Sequence, residues 1–123
     1  MENTAGERDL RKRTRQVALR VIRLCDSLPN VRTADVIAKQ LIRCGTSVGA
    51  NYRAAACAKS PKDFVAKLGI VEEECDESIY WMELLVESGI IEERLLEDLI
   101  REARQLLAIT IASIRTARTK IKR

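Results

Sequence analysis

The sequence predicts an all-α protein, an antiparallel up-down-up-down four-helix bundle. Three observations predict it. Ala, Leu, Ile, Glu and Arg dominate, while aromatics make up only 3% and there are just 2 Pro and 5 Gly in 123 residues, which is the helix-forming end of the propensity scale. Apolar residues recur in threes and fours along four segments, with no strand-like alternation. Only a few residues join those segments, which favours antiparallel neighbours. The length fits a single domain, 1–123, with helices over about 7–27, 33–58, 61–88 and 91–121.

The first helix carries Leu10, Val17, Val21, Leu24 and Leu28 on one face and stops at Pro29, because the residue before a proline is pushed out of α geometry. For the second, Thr33 reads as the N-cap, with Asp35 in the first turn. Its face is Ile37, Leu41, Cys44, Val48 and Tyr52. Gly45 and Gly49 each cost this helix about 1 kcal/mol relative to Ala. The apolar period stays in phase across them, so they predict a close approach by another helix rather than a break.

Ser60-Pro61-Lys62-Asp63 is a start signal for the third helix: a Ser cap, Pro at the first helical position and an acid three residues after the cap. Phe64, Leu68, Val71, Cys75, Ile79, Met82 and Val86 form its stripe, and Gly89 supplies a left-handed stop. The fourth helix has two apolar faces, Leu95, Leu99, Leu106 and Ile109 on one, and Leu96, Ile100, Ala103, Leu107, Ile111 and Ile114 on the other. That is more than a lone bundle core needs. A chain this size buries only about 65% of the surface it exposes when unfolded, so the surplus predicts a homo-oligomer.

Several function classes are excluded by composition. The start, Met1 to Arg8, lacks the apolar run of a signal peptide, and no stretch is apolar enough for a transmembrane helix. A cytoplasmic location with no membrane association is expected. Cys25, Cys44, Cys57 and Cys75 show no metal-ligand spacing and read as buried, reduced thiols. The absence of histidine removes Ser-His-Asp and Cys-His nucleophilic sites and the His-containing di-iron motif of helical bundles. No catalytic residue, metal site or cofactor is expected.

Charge is segregated along the chain. Residues 1–62 hold 13 basic and 5 acidic side chains, 63–100 hold 2 and 12, and 101–123 hold 7 and 1. In an up-down bundle one end gathers Arg8, Arg11, Lys12, Arg13, Arg15, Arg53, Lys59, Lys62, Arg115, Arg118, Lys120, Lys122 and Arg123. The other gathers Asp26, Asp35, Glu83, Glu87, Glu92, Glu93, Glu97 and Asp98. Helix-dipole complementarity accounts for the bases ending helix four, but not for Arg-Lys-Arg at the positive end of helix one. The basic end is therefore a candidate for phosphate contacts with RNA or DNA, through backbone charge rather than base readout, since no aromatics interleave with it. The alternative is a protein-interaction scaffold whose acidic and basic surfaces meet between subunits, with no nucleic-acid role.

Other constellations read as structural. Glu72-Glu73-Glu74 and Asp76-Glu77 fan around a helix, so they form a solvated face or meet a basic neighbour rather than converge on a metal. Ser47 and Asn51 lie one turn apart, placed to hydrogen-bond across a helix contact, and Ser47 has no base near it in sequence. The glycines are not a phosphate loop, as no Lys-Ser/Thr follows. Trp81 falls off the main stripe and reads as an oligomer anchor.

Three segments carry a family resemblance: Gln40-Leu41-x-Arg43-x-Gly45-Thr46-Ser47-Val48-Gly49-Ala50-Asn51-Tyr52-Arg53-Ala54, Lys62-Asp63-Phe64-x-x-Lys67-Leu68, and Glu77-Ser78-x-Tyr80-Trp81-x-Glu83-Leu84-Leu85. In this order they resemble the bacterial four helix bundle protein family. Its relatives include proteins encoded within intervening sequences of large-subunit ribosomal RNA genes and, more distantly, accessory variability proteins of diversity-generating retroelements. The resemblance runs from about Arg11 onward and implies a bundle assembled as a homopentameric ring. For the retroelement branch it implies a basic surface contacting nucleic acid and a reverse transcriptase. It carries over no catalytic residue. Ser47, Gly49 and Asn51 match the family's central helix-two motif, and Tyr80 and Trp81 its helix-three motif. The chain departs from the family at Ala54, where relatives often place an acid after the arginine.

Overall fold

The computed structural model describes residues 5–122 and consists of four helices: α1 Ala5–Ser27, α2 Arg32–Ala56, α3 Pro61–Glu87 and α4 Glu93–Lys122. Residues 1–4, on which part of the signal-peptide expectation rests, and Arg123 of the basic end lie outside the described residues. Sequence neighbours pack side by side, while α1 and α4, which close the bundle, touch only lightly.

The four apolar stripes meet in one core built around Val17, Val21, Leu41, Val48, Leu68, Val71, Met82, Leu85, Leu96 and Leu106. Each such side chain contributes roughly 1.5–3 kcal/mol by leaving water. Along α4 the buried line is Leu96, Leu99, Ala103, Leu106, Thr110 and Ile114, drawn from both of the faces read in the sequence. The remainder flanks it: Ile100 and Leu107 pack at the edge of the core, and Leu95 is exposed.

The close approach expected at the α2 glycines occurs against α1. A Cβ on Gly45 would sit 3.0 Å from both Cγ atoms of the fully buried Val21, and one on Gly49 would sit 3.3 Å from Thr14 Oγ1. Because neither glycine carries a side chain, the two helices pack closely at this seam.

The ends follow the local chemistry, with three shifts. Val31, not Thr33, is the N-cap of α2; it is extended, makes no side-chain cap bond, and its carbonyl accepts from Asp35 N at 3.1 Å. Thr33 thus lies inside the first turn. The same helix stops at Ala56 rather than 58, as Cys57 N and Ala58 N close tight bonds to Ala54 O and Ala55 O. At the α3 start, Ser60 Oγ accepts from Asp63 N, and Asp63 Oδ2 accepts from Lys59 N, both at 3.1 Å. At its end Gly89, with φ +77°, donates to Val86 O while Ile90 N donates to Leu85 O, a Schellman closure. Ile91 N also bonds back to Leu85 O at 3.2 Å. That holds Ile90 and Ile91 against α3, and α4 begins at Glu93 rather than 91.

All four cysteines are free. Cys44 and Cys75 are buried and Cys25 half-buried, but Cys57, in the α2–α3 turn, is exposed, which corrects the expectation for that thiol. Burial pushes Cys25 up to about 11 and Cys75 up to about 12. No described helix is long and apolar enough to cross a membrane.

Candidate nucleic-acid interface

The seam between α1 and α2 opens outward into a cleft. The antiparallel pairing sets the first turns of α1 beside the last turns of α2. Gly49 stands against Thr14, and Arg11, Lys12 and Arg15 from α1 line the cleft with Thr46, Ala50 and Arg53 from α2. Among the described residues, none that lines it is acidic. Arg53 in the last turn of α2 complements that helix's negative end. The hydroxyls of Thr14 and Thr46 donate to carbonyls of their own helices, to Leu10 O at 2.8 Å and Ile42 O at 2.6 Å. Arg11 Nε is buried and meets no acceptor among the described residues.

Other bases of this end are distributed differently. Lys59 and Lys120 line a second cleft, where the α2–α3 turn meets the second half of α4 over Phe64, Ile109 and Ala112. Arg8, Lys62, Arg115, Arg118 and Lys122 are exposed and line neither cleft. Arg13 departs from the expected set. Its Nε and Nη2 donate to the two carboxylate oxygens of Glu102 at 2.9 and 2.8 Å, and Nη2 also to Gln105 Oε1 at 2.9 Å. It spans the thin α1–α4 seam and is committed there. The paired bonds hold the Glu102 carboxyl below its ordinary range and the Arg13 guanidinium above its own.

At the far end, Glu83, Glu87, Glu93 and Glu97 line a groove between α3 and α4 with Arg101 and Arg104, the latter donating to Glu83 Oε2 at 2.9 Å. Of the expected acidic set, Asp26, Asp35, Glu92 and Asp98 lie exposed outside it. The α1–α2 cleft and this α3–α4 groove thus differ in sign.

Ser47 and Asn51 of the helix-two motif and Trp81 of the helix-three motif bond within their own helices, and Arg43 bonds between α2 and α3. Ser47 Oγ donates to Arg43 O at 2.8 Å and Asn51 Nδ2 to Ser47 O at 2.9 Å, so both bond along α2 rather than across a helix contact. Arg43, not singled out by its charge, ties α2 to α3 by donating to Glu74 and Glu77. Glu77 Oε2 also accepts from Trp81 Nε1 at 2.9 Å. Trp81 is half-buried against the core, and Tyr80, which meets it edge-on at 5.1 Å, is the exposed ring of the pair. Two members of the acidic stretch therefore contact a basic neighbour. Thr46 and Ala50 were not legible as cleft residues; the signal that could have found them is that they lie one turn apart beside Gly49.

No group of three or more metal-ligating side chains occurs among the described residues. The family model described as "23S rRNA-intervening sequence protein" matches residues 7–112. A solved structure from Bacteroides thetaiotaomicron, a protein of unknown function from the S23 ribosomal protein family, is 32% identical with a TM-score of 0.82. The alignment covers 89% of this chain and 97% of that one. A search of curated proteins finds no match.

Proposed function

The chain belongs to the 23S rRNA-intervening sequence protein family, and from that premise we propose that it is a non-enzymatic, oligomeric bundle that binds RNA or DNA through its basic end. The observation that carries this reading is the α1–α2 cleft, where Arg11, Lys12, Arg15 and Arg53 converge with no acid among the described lining residues. Cations gathered without counter-charges release condensed counterions from a phosphate backbone, a sequence-independent source of affinity. Among the described residues, no Asn, Gln or aromatic side chain lines the cleft, in keeping with backbone contact over base readout.

Oligomerisation draws support from apolar surface left on α4 and its neighbours, with Leu95, Ile121 and Tyr80 all exposed. A pentamer follows from the family resemblance and is tested by light scattering. The second reading, a protein scaffold without nucleic acid, is favoured by the acid-lined α3–α4 groove, whose charge complements the basic cleft of another copy. A reverse transcriptase or another protein would be a partner in either reading.

Fluorescence anisotropy with duplex RNA and DNA separates the two readings. Binding at about 50 mM salt that falls steeply by about 200 mM supports the first. Its absence at the lower salt leaves the scaffold.

A further inference from the structure

We propose that the α1–α2 cleft is a seat for a phosphate oxyanion, with the Arg11 Nε–H as its inner donor. Resting on the nucleic-acid reading above, the source of that phosphate is a diester of a double-helical backbone.

Arg11 differs from the arginines that tie one helix to another. Arg13 has Glu102, Arg43 has Glu74 and Glu77, and Arg104 has Glu83. Arg11 has a buried Nε with no acceptor in the described protein, and its neighbours in the cleft are Lys12, Arg15 and Arg53. A buried charged donor left without an acceptor is costly. A phosphate oxygen seated in the cleft supplies that acceptor.

The chemistry of that ligand follows from what the cleft offers. Thr14 and Thr46 spend their hydroxyl protons on their own helices. The side-chain donors left to a ligand are guanidinium and ammonium groups, all positive. Such a set selects an anion made only of acceptors, and the planar guanidinium fork matches phosphate geometry. Gly49 and Ala50 present no bulk on the opposing wall. No aromatic side chain among the described residues lines the cleft to stack an unpaired base, which favours a duplex, whose bases are already stacked.

The test compares wild type, Arg11→Lys and Lys12→Gln for binding a mixed-sequence RNA duplex by anisotropy across a salt series. Pyrophosphate is titrated in parallel, followed by amide chemical shifts. Arg11→Lys keeps the charge but loses the Nε–H and the fork. It is expected to bind RNA about tenfold more weakly at every salt concentration with an unchanged salt slope. Lys12→Gln is expected to lower the slope by about 1. Pyrophosphate is expected to shift Thr14, Gly49 and Ala50 in wild type and not in Arg11→Lys.

If Arg11→Lys matches wild type with both probes, the seat is overturned while the nucleic-acid reading stands on other cations. If wild type ignores RNA yet pyrophosphate shifts those amides, the seat stands and the nucleic-acid reading falls. If pyrophosphate leaves the wild-type amides unmoved, the seat is overturned whether or not the variant folds.

Discussion

Val21 fills the space in which a side chain on Gly45 would lie: both its Cγ atoms are 3.0 Å from an ideal Cβ there, and the valine itself is fully buried. The contact decides the sign of a substitution. Gly45→Ala would gain about 1 kcal/mol of helix propensity. A β-branched side chain locked in a core has no rotamer to retreat to, and overpacking costs about 1–3 kcal/mol. Gly45→Ala is therefore expected to destabilise the protein by about 1 kcal/mol net, read as a lower urea midpoint with an unchanged slope.

Gly69 gives the opposite result. It lies inside α3, and an added Cβ meets nothing within 4 Å. Only the propensity gain remains, so Gly69→Ala is expected to stabilise by about 0.5–1 kcal/mol. A thermal melt should rise by about 2–6 °C. A fall would mean that this face is packed against another copy in solution.

These two glycines show how much was legible in the sequence. Phase continuity across Gly45 and Gly49 correctly pointed to a close helix approach, because period is a backbone property. Ser60-Pro61-x-Asp63 and Gly89 marked their helix ends for the same reason: each supplies a bond or a dihedral locally. Thr33 misled because Val31 caps with its carbonyl alone, which no side chain advertises. Arg13 and Arg43 could not be assigned from composition. Both are single charges in a basic half of the chain, and their partners, Glu102 and Glu74 with Glu77, lie 89, 31 and 34 residues away. Which cations stay free depends on those long-range pairings, so the basic end was legible but the cleft within it was not.

The Arg13–Glu102 pair predicts an acid-sensitive term in stability. Glu102 is held below its ordinary value of 4.5, first by the Arg13 hydrogen bond. A depressed carboxyl contributes stability that is complete above 4.5 and lost as pH falls through its lower folded value. Glu102→Gln keeps one acceptor but not the charge, and is expected to cost about 1 kcal/mol at pH 7. Chemical denaturation across pH should show the gap to wild type closing below about pH 4. Asp63, held low first by Lys67, titrates in the same direction and leaves part of the acid limb in the variant.

The thiols should separate by burial. With a disulfide reagent at about pH 8, the exposed Cys57 is expected to react first and alone. Cys75, raised to about 12, and Cys25, raised to about 11, hold little thiolate at that pH, and Cys44 is buried as well. All four should react together once the chain is unfolded in guanidinium. Prompt reaction of Cys75 in the native protein would show that the α3–α4 contact, where its thiol meets Ala103 O at 3.2 Å, opens readily.

Arg13 and Arg53 should dissociate stability from binding. Arg13→Ala removes the bidentate tie between α1 and α4 and leaves Glu102 half-buried without its partner. It is expected to cost about 1–3 kcal/mol of stability and to leave nucleic-acid affinity within about twofold, because the guanidinium it removes is already paired. Arg53→Ala removes an exposed side chain that lines the cleft. Stability should change by no more than about 0.5 kcal/mol, while binding weakens and its salt slope drops by about 1. Thermal melts and anisotropy on the same preparations decide it. If Arg13→Ala abolished binding in a protein that still melted normally, the basic end would act as a whole surface and the α1–α2 cleft would hold no special place in it.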